Sequence, residues 1–574
     1  MSLRRLHTTN TPSLAPKNSN LLVPLIDSPL PSPVLPSIIP SHGKRPPGSG
    51  KRKAIRVCFW SLVIFILVRI TFLFDFKAIP NTVQQWLSDR QTYLPSDVLP
   101  NTPAPIKLTN GHGREKWTIS IPTQVGFPLS PPQITDLCTH CDEMSTQLSS
   151  GKFQPFDYSR PDRNFVDIAE ARLDEFSSAK QPSNGDGNQS PICETSLTFV
   201  MQSEDAGLGK TLMQLWLSYG LAKKQGRSFF IDDTNWAYGD YSSFFKPPPK
   251  PACRPPPPSH RLPCPLQARH LVVSSANSKW IFGNSFKEYF GSSRASAPRQ
   301  QKAIFEMARS GYEALFNLVG DDAKFLDHRI RELDRQVRGQ GGLVIGLHVR
   351  RGDLHPLESQ YRDSYIPLDK YANRAETLFE TYLAQAASDE ILQRAMKSYS
   401  RIVLASDDPD VYTASELRGA EKAQSYISLA SKSALVAAQE ANPRRGENAG
   451  WEGGFYKDLF WSLGVSSDSY FPKDSPLPTN QVPESPRSGG GDDTLPLDQL
   501  RFQPSKESLG LRELIGRAYL LDLAVLGQSD RVICGIGSAS CRLLAVMMGW
   551  ERAITREAWQ NVDGSWNWAY TASG

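Results

Sequence analysis

The chain has 574 residues with 39% hydrophobic content, enough to bury substantial cores, and a formal net charge of +5. Residues 1–53 hold eight Lys/Arg against one Asp, so the remainder sits near −2. No basic surface is left over to neutralise the phosphates of a duplex, which excludes a nucleic-acid partner.

Residues 1–53 are rich in Pro, Ser, Thr and Asn without sustained periodicity. They cannot bury enough apolar surface to offset their ordering entropy and read as a disordered cytosolic tail. Within 54–76, the run from Val57 to Phe74 is VCFWSLVIFILVRITFLF, long enough at the helical rise to cross a bilayer. Its one charge, Arg69, lies near the far end, where a long stem lets the guanidinium reach the interface. Lys44, Arg45, Lys51, Arg52, Lys53 and Arg56 precede the run, while Asp75 and Lys77 follow it. That asymmetry keeps the N terminus cytosolic and sends the rest to the lumen, a single-pass type II arrangement. A buried core helix competes poorly, because the run is apolar around its whole circumference. A cleaved signal peptide is disfavoured by the long preceding tail and the lack of a small-residue cleavage site.

Residues 77–190 mix Pro, Asn, Ser and charges with short apolar clusters and read as a lumenal stem with little regular structure. Asn188-Gln-Ser190 spells a glycosylation acceptor. From Ser196 to Gln202 the chain reads as a strand, followed by Gly207-Leu-Gly209, a helix over Lys210–Gln225 and a strand over Ser228–Asp232. This strand, turn, helix, strand order is the unit of a parallel sheet. The Pro-rich stretch Pro247–Pro265 is a loop. A second region opens with Gly342–Val349, apolar in the manner of a strand buried on both faces, and continues with strands at Arg401–Ala405 and Arg531–Cys534. Helical patterns lie at Lys370–Ala387 and Leu511–Leu526, and 479–510, with Gly489-Gly-Gly491, reads as a mobile insertion. Two α/β domains result, 191–338 and 339–574.

Three predicted strands of the second domain end in polar residues: His348-Val-Arg-Arg-Gly-Asp353, Ser406-Asp-Asp-Pro409 and Gly535-Ile-Gly-Ser538. Ligands of open α/β sheets bind beyond the carboxyl ends of the strands, so these segments can share one crevice. Arg350 and Arg351 carry planar forks that match phosphate oxygens, and Gly535, Gly537 and Ser538 bring backbone N–H groups and a helix N terminus to an anion. A diphosphate suits such a place. Taken singly, an Arg-Gly-Asp turn or two aspartates before proline are ordinary solvated loops; their joint placement carries the reading.

At these residues the chain resembles the GDP-fucose-dependent fucosyltransferases, most closely the α-1,6-fucosyltransferases and their relatives. HVRRGD is also similar to the signature of the α-1,2-fucosyltransferases, but ASDDP at 405–409, LLDLAVLGQSDRVICGIGSASCR at 520–542 and Asn235-Trp236 favour the α-1,6 group. The resemblance covers roughly 193–566. It implies a glycosyltransferase-B fold with two Rossmann-like domains and transfer of fucose from GDP-fucose with inversion, to a glycan or glycoprotein and in α-1,6 linkage. His348 and Asp522 would contact guanine, and Arg350 and Ser538 the β-phosphate, with backbone amides of Gly207 and Gly209 joining from the other domain. Asp353, Asp407 and Asp408 would organise the donor pocket. Glu358 falls where the group keeps its catalytic glutamate, ten residues after the motif histidine, with His355 beside it as rival base or relay. The resemblance also implies disulfides Cys534–Cys541 and Cys193–Cys253. Two positions depart from the pattern: Leu354 stands for a lysine and Ala539 for a glutamine.

Because Arg350 and Arg351 supply positive charge for a departing diphosphate, neither cofactor nor metal is expected, nor an Asp-x-Asp signature. Ala206-Gly-Leu-Gly-Lys-Thr211 ends like a phosphate-binding NTPase loop, yet Glu204 replaces the required glycine. Cys138-Thr-His-Cys141 has half a zinc-site spacing without a second pair; in an oxidising lumen, one disulfide or two separate ones fit better. Seven cysteines follow the membrane segment, so at least one, Cys264 on this reading, is unpaired or joined between chains. The short span with a stem points to the Golgi membrane. Competing functions are a non-catalytic lumenal protein that binds a GDP-sugar or glycan, and an α-1,2- or protein O-fucosyltransferase.

Overall fold

The structure is a computed structural model that describes residues 93–95, 99–110, 113–122, 124–149, 154–171, 190–202, 207–291, 301–351, 365–386, 389–428, 460–461, 463, 504–564 and 566. Residues 1–53, the apolar run at 57–74, Asn188, Asp353, Leu354, His355, Glu358 and 479–503 of the expected insertion lie outside the described residues, while the end of that insertion is corrected: 506–510 form the first turns of a helix that runs on to Gly527. Among the described residues no helix is long and apolar enough to cross a membrane.

The elements used below run in chain order. They are β1 (Tyr93–Pro95), β2 (Ala104–Asn110), β3 (Glu115–Ser120), α1 (Pro131–Ser149), β4 (Ser196–Val200), α2 (Leu208–Gln225), β5 (Ser228–Asp232), β6 (His270–Val273), α3 (Lys302–Leu315) and α4 (Gly320–Gln336). Then follow β7 (Val344–Val349), α5 (Leu368–Ala386), α6 (Glu390–Tyr399), β8 (Arg401–Ser406), β9 (Glu421–Lys422), α7 (Lys506–Gly527), β10 (Arg531–Cys534), α8 (Ala539–Met548) and β11 (Trp559–Asn561). They build an α/β fold with two parallel sheets, ordered β5-β4-β6 and β11-β10-β7-β8-β9, and one antiparallel sheet, β1-β2-β3. The strands expected at Ser228–Asp232 and Arg531–Cys534 form with those bounds, and every residue of β4 and β7 is buried, as apolar central strands require.

The stem expectation needs correction. Residues 104–149 are not irregular: β2 and β3 pair antiparallel, and α1 packs on them. On α1, Ile134, Leu137, Cys138, Cys141 and Ser145 are buried at helical spacing among Thr, Gln, Asp and Glu. The average composition is therefore polar although one face is fully committed to a core. Leu108, Trp117 and Ile119 complete that core. The buried Asp162 carboxylate accepts from Trp117 Nε1 at 2.8 Å and Ser145 Oγ at 2.5 Å, replacing the hydration it gives up. This small layer docks on the β4 sheet through Gln202 Nε2 to the Leu129 carbonyl (2.7 Å) and Gln267 Nε2 to the Asp162 carbonyl (2.7 Å).

One apolar core continues from Leu108 through both parallel sheets to Trp559, and a second, including Ile345, Leu347, Tyr371 and Phe379, fills the space beside β7 and α5. Helices α2 and α3 meet backbone to backbone. A Cβ on Gly220 would lie 2.3 Å from the Met307 carbonyl oxygen, and one on Gly311 2.3 Å from that of Trp216. Across the junction of the two sheets, Arg517 of α7 grips Asp322 of α4 with two hydrogen bonds of 2.8 Å. Arg309 of α3 donates to the Val546 carbonyl (2.9 Å), which also accepts from the Gly549 N–H, and to the Met547 carbonyl at the C-terminal end of α8.

Candidate functional site

The register of the five-stranded sheet sets the first half of the site. His348 pairs with Ala405 on one side and Cys534 on the other, so β7, β8 and β10 end side by side and deliver Arg350, Asp407 and Gly535 to one edge. Asp407 accepts from the Arg350 guanidinium and, at 2.8 Å, from the backbone N–H of Arg351, which fixes both the loop and the fork. Adjacent residues at a strand end diverge, and the two arginines do so here. Arg350 interacts electrostatically with Tyr519 of α7, whereas Arg351 lies over the Tyr365 ring at 4.7 Å, within the field of Asp408 and Glu416. Arg350 is the fork tied to Asp407, while the buried Nε of Arg351 has no hydrogen-bond partner among the described residues.

His348 is buried, and burial drives its imidazole down to about 4; Asp407 opposes this and Arg350 reinforces it. It is neutral at any physiological pH, and its Nδ1 has no partner among the described residues. A buried ring nitrogen left open at the end of a central strand is suited to a ligand hydrogen bond. Asp522, half-buried on α7, is pushed well above the carboxylate range by burial, against the pull of the Gln424 backbone N–H and Lys422. Tyr412 lies in the field of Asp522 and Asp407, its hydroxyl accepting from the Ser406 N–H (2.9 Å), and Lys422 Nζ sits 4.8 Å from the centre of its ring.

Asp408 lies beside Asp407 and Arg351. Its carboxylate accepts from the Asp410 N–H at 3.0 Å and caps the short 3-10 helix Pro409–Thr413. Asp408-Pro-Asp410 is an Asp-x-Asp spacing, which corrects the expectation that the sequence carries no such signature; among the described residues no group of three His, Cys, Asp or Glu is arranged to hold a metal.

The loop from Gly535 to Ser538 forms the second half. The Cys534–Cys541 disulfide closes it, and Ile536 N–H donates to Asn561 Oδ1 (2.8 Å) and Asp563 Oδ1 (2.7 Å). Buried Arg542 holds the Ile536 carbonyl at 2.5 Å, and Ser538 Oγ caps α8 by accepting from the Ser540 N–H at 3.2 Å. Among the described residues the N–H groups of Gly537 and Ala539 have no partner, so the loop presents donors at the positive end of a helix.

The N terminus of α2 arrives at the same place. Gly207 is its N-cap and supplies no side-chain cap, and a Cβ on Gly209 would fall 2.6 Å from the Tyr519 hydroxyl and 3.2 Å from Ala539 Cβ. A side chain there would displace the Tyr519 hydroxyl of α7 and press on Ala539 of α8, so glycine fits the place best. Tyr519, whose hydroxyl shares a 2.8 Å hydrogen bond with Ser540 Oγ, is pushed up to about 12, chiefly by burial. Sequence reasoning missed Tyr519, Tyr412 and the Asn561 and Asp563 props. Only the position of Tyr519 three residues before Asp522, on the same helical face, signals it. The second disulfide, Cys193–Cys253, is also formed, while Cys264 is fully buried and so is not available to another chain.

No family model matches this chain, and no curated protein does. Among solved structures it is similar to NodZ α-1,6-fucosyltransferase soaked with GDP-fucose, at 14% identity and a TM-score of 0.28, over 62% of this chain and 92% of that one. It is likewise similar to fucosyltransferase NodZ from Bradyrhizobium, at 14% identity and 0.28, over 61% and 92%. A third is NodZ α-1,6-fucosyltransferase co-crystallised with GDP, at 12% and 0.24, over 61% and 91%.

Proposed function

We propose that this chain transfers fucose from GDP-fucose to a glycan or glycoprotein hydroxyl, as a single-pass type II protein of the Golgi membrane with its catalytic region in the lumen. The observation that carries the reading is the meeting of Arg350, the amides before α8 and the N terminus of α2 at one point, next to His348 and Asp522. In that crevice the open Nδ1 of His348 and the carboxyl of Asp522 take the guanine edge. Arg350, oriented by Asp407, and the Gly537 and Ala539 amides take the β-phosphate. The acceptor hydroxyl attacks the anomeric carbon from the face opposite the diphosphate, its proton passes to a base, and the bond from that carbon to the phosphate oxygen breaks. Charge on departing GDP is then met by a guanidinium and two helix N termini, which is why a metal is dispensable in this scheme.

Glu358 is the proposed base, with His355 as its rival. Glu358→Gln keeps GDP affinity and loses transfer by about 10²–10⁴-fold, whereas His355→Ala loses less. The opposite ranking in single-turnover assays moves the role to His355. The reading itself is tested by titrating the purified 84–574 unit with GDP, UDP and ADP, then assaying transfer with and without EDTA. Selective GDP binding with transfer that survives EDTA is the expected result. Indifference to GDP removes the reading, and GDP binding without transfer to any acceptor replaces it with a lumenal binding protein.

A further inference from the structure

Three thiols converge where α1 meets the loop that leads into β6. Cys138 and Cys141 project from the buried face of α1, and Cys264 lies opposite them, with all three fully buried. Cys264 Sγ is 3.6 Å from Cys141 Sγ and is also hydrogen-bonded to Cys138. The side chains of an i, i+3 pair share one helical face, so a single partner can face both. The chain already joins two other cysteine pairs, Cys193–Cys253 and Cys534–Cys541, and so matures where thiols are oxidised.

We propose that Cys264 and Cys141 form a third disulfide, which clips the β2–β3–α1 layer to the β4 sheet, and that Cys138 is a resident standby thiol able to replace Cys141. In closing the bridge, Cys141 and Cys264 each give up one proton and one electron. A protein disulfide of the oxidoreductase class accepts the electron pair and leaves as a dithiol. Complete burial places this step before α1 docks, while the sulfurs are still reachable. Burial raises the thiol of Cys138, the one thiol left beside the bridge, which then lacks the thiolate that exchange requires, so the finished bridge resists reshuffling. The inference does not depend on the fucosyl-transfer reading.

The test is full-length chain made in a eukaryotic secretory host, treated with N-ethylmaleimide, then denatured, labelled with a second alkylating agent, digested without reduction and mapped by mass spectrometry. The expected map links Cys141 to Cys264, keeps the other two bridges, and shows Cys138 carrying only the second label. Alkylation of Cys141 and Cys264, or a wild-type bridge from Cys138 to either, overturns the proposal. Should Cys264→Ser fail to fold, Cys141→Ser still decides the standby role. It is expected to link Cys138 to Cys264, and an unlinked Cys264 there refutes that role. The Cys138→Ser, Cys141→Ser double variant should melt about 5 °C below Cys138→Ser alone, the loss expected of a bridge rather than of a buried thiol; equal melting temperatures count against it.

Discussion

Two helices point their N termini at the same crevice, and they are held there by opposite means. The start of α8 is tied from several sides by a disulfide, by Asn561 and Asp563, by buried Arg542 and by the Ser538 cap. The start of α2 has no side-chain cap; Thr211 Oγ1 donates to the Gly207 carbonyl (3.1 Å), and Gly209 fits closely against the Tyr519 hydroxyl. Redundant ties spread a loss over many bonds, while a fit fails at a single atom. Substitutions should therefore hurt the two helices unequally.

The largest effect is expected between them. Arg350→Lys keeps the charge but loses the planar fork and its pairing with Asp407, and is expected to cost about 10²–10³-fold in turnover, close to Arg350→Ala. A lysine variant with near-normal turnover would show that charge alone serves both helices. Next comes Gly209→Ala, whose methyl group has no room beside Tyr519. A loss of about 10-fold or more in GDP affinity is expected by calorimetry, about 1.4 kcal/mol, with part regained in the double variant that adds Tyr519→Phe. Absence of rescue would place the clash elsewhere.

On the α8 side, Ser538→Ala removes one tie of several. It should cost about 1 kcal/mol of stability in a denaturant melt and less than Gly209→Ala in GDP affinity. A larger affinity loss than Gly209→Ala would invert the comparison. A further effect, on stability rather than on the comparison of the helices, is one of pH. His348 is held near 4 against an ordinary value of about 6.5, so the folded state declines a proton that the unfolded state accepts. Its contribution is complete above 6.5 and is lost as pH falls toward 4, up to about 2 kcal/mol by pH 5. His270, buried on β6 and likewise held to about 4 by burial, adds a loss in the same direction. His348→Asn should flatten the melting-temperature profile between pH 6.5 and 5, and an unchanged slope would assign it to His270.

What could be read in advance followed from local rules. The strands β5, β7, β8 and β10 are short apolar runs, and the polar residues that end them mark the sheet edge where a ligand sits. The pairing of Arg350 with Asp407 and the capping by Asp408 depend on side-chain direction at a turn, which spacing does not encode. Tyr519 gains its role from a glycine more than three hundred positions earlier, a contact made only by tertiary packing. The layer at 104–149 was hidden for another reason: its buried residues are diluted among polar ones, and averaging over the window erased the helical period of α1.

The grip of Arg309 on the far end of α8 bears on how forces travel through the molecule. The ten residues of α8 span about 15 Å, with anion-facing amides at one end and a guanidinium from α3 at the other. Its macrodipole is complemented at the C-terminal end by that cation, which leaves the N-terminal donors as the free pole. Arg309 therefore joins the C-terminal end of α8 to α3, and the two helices are mechanically coupled at the end remote from the Gly537 and Ala539 amides.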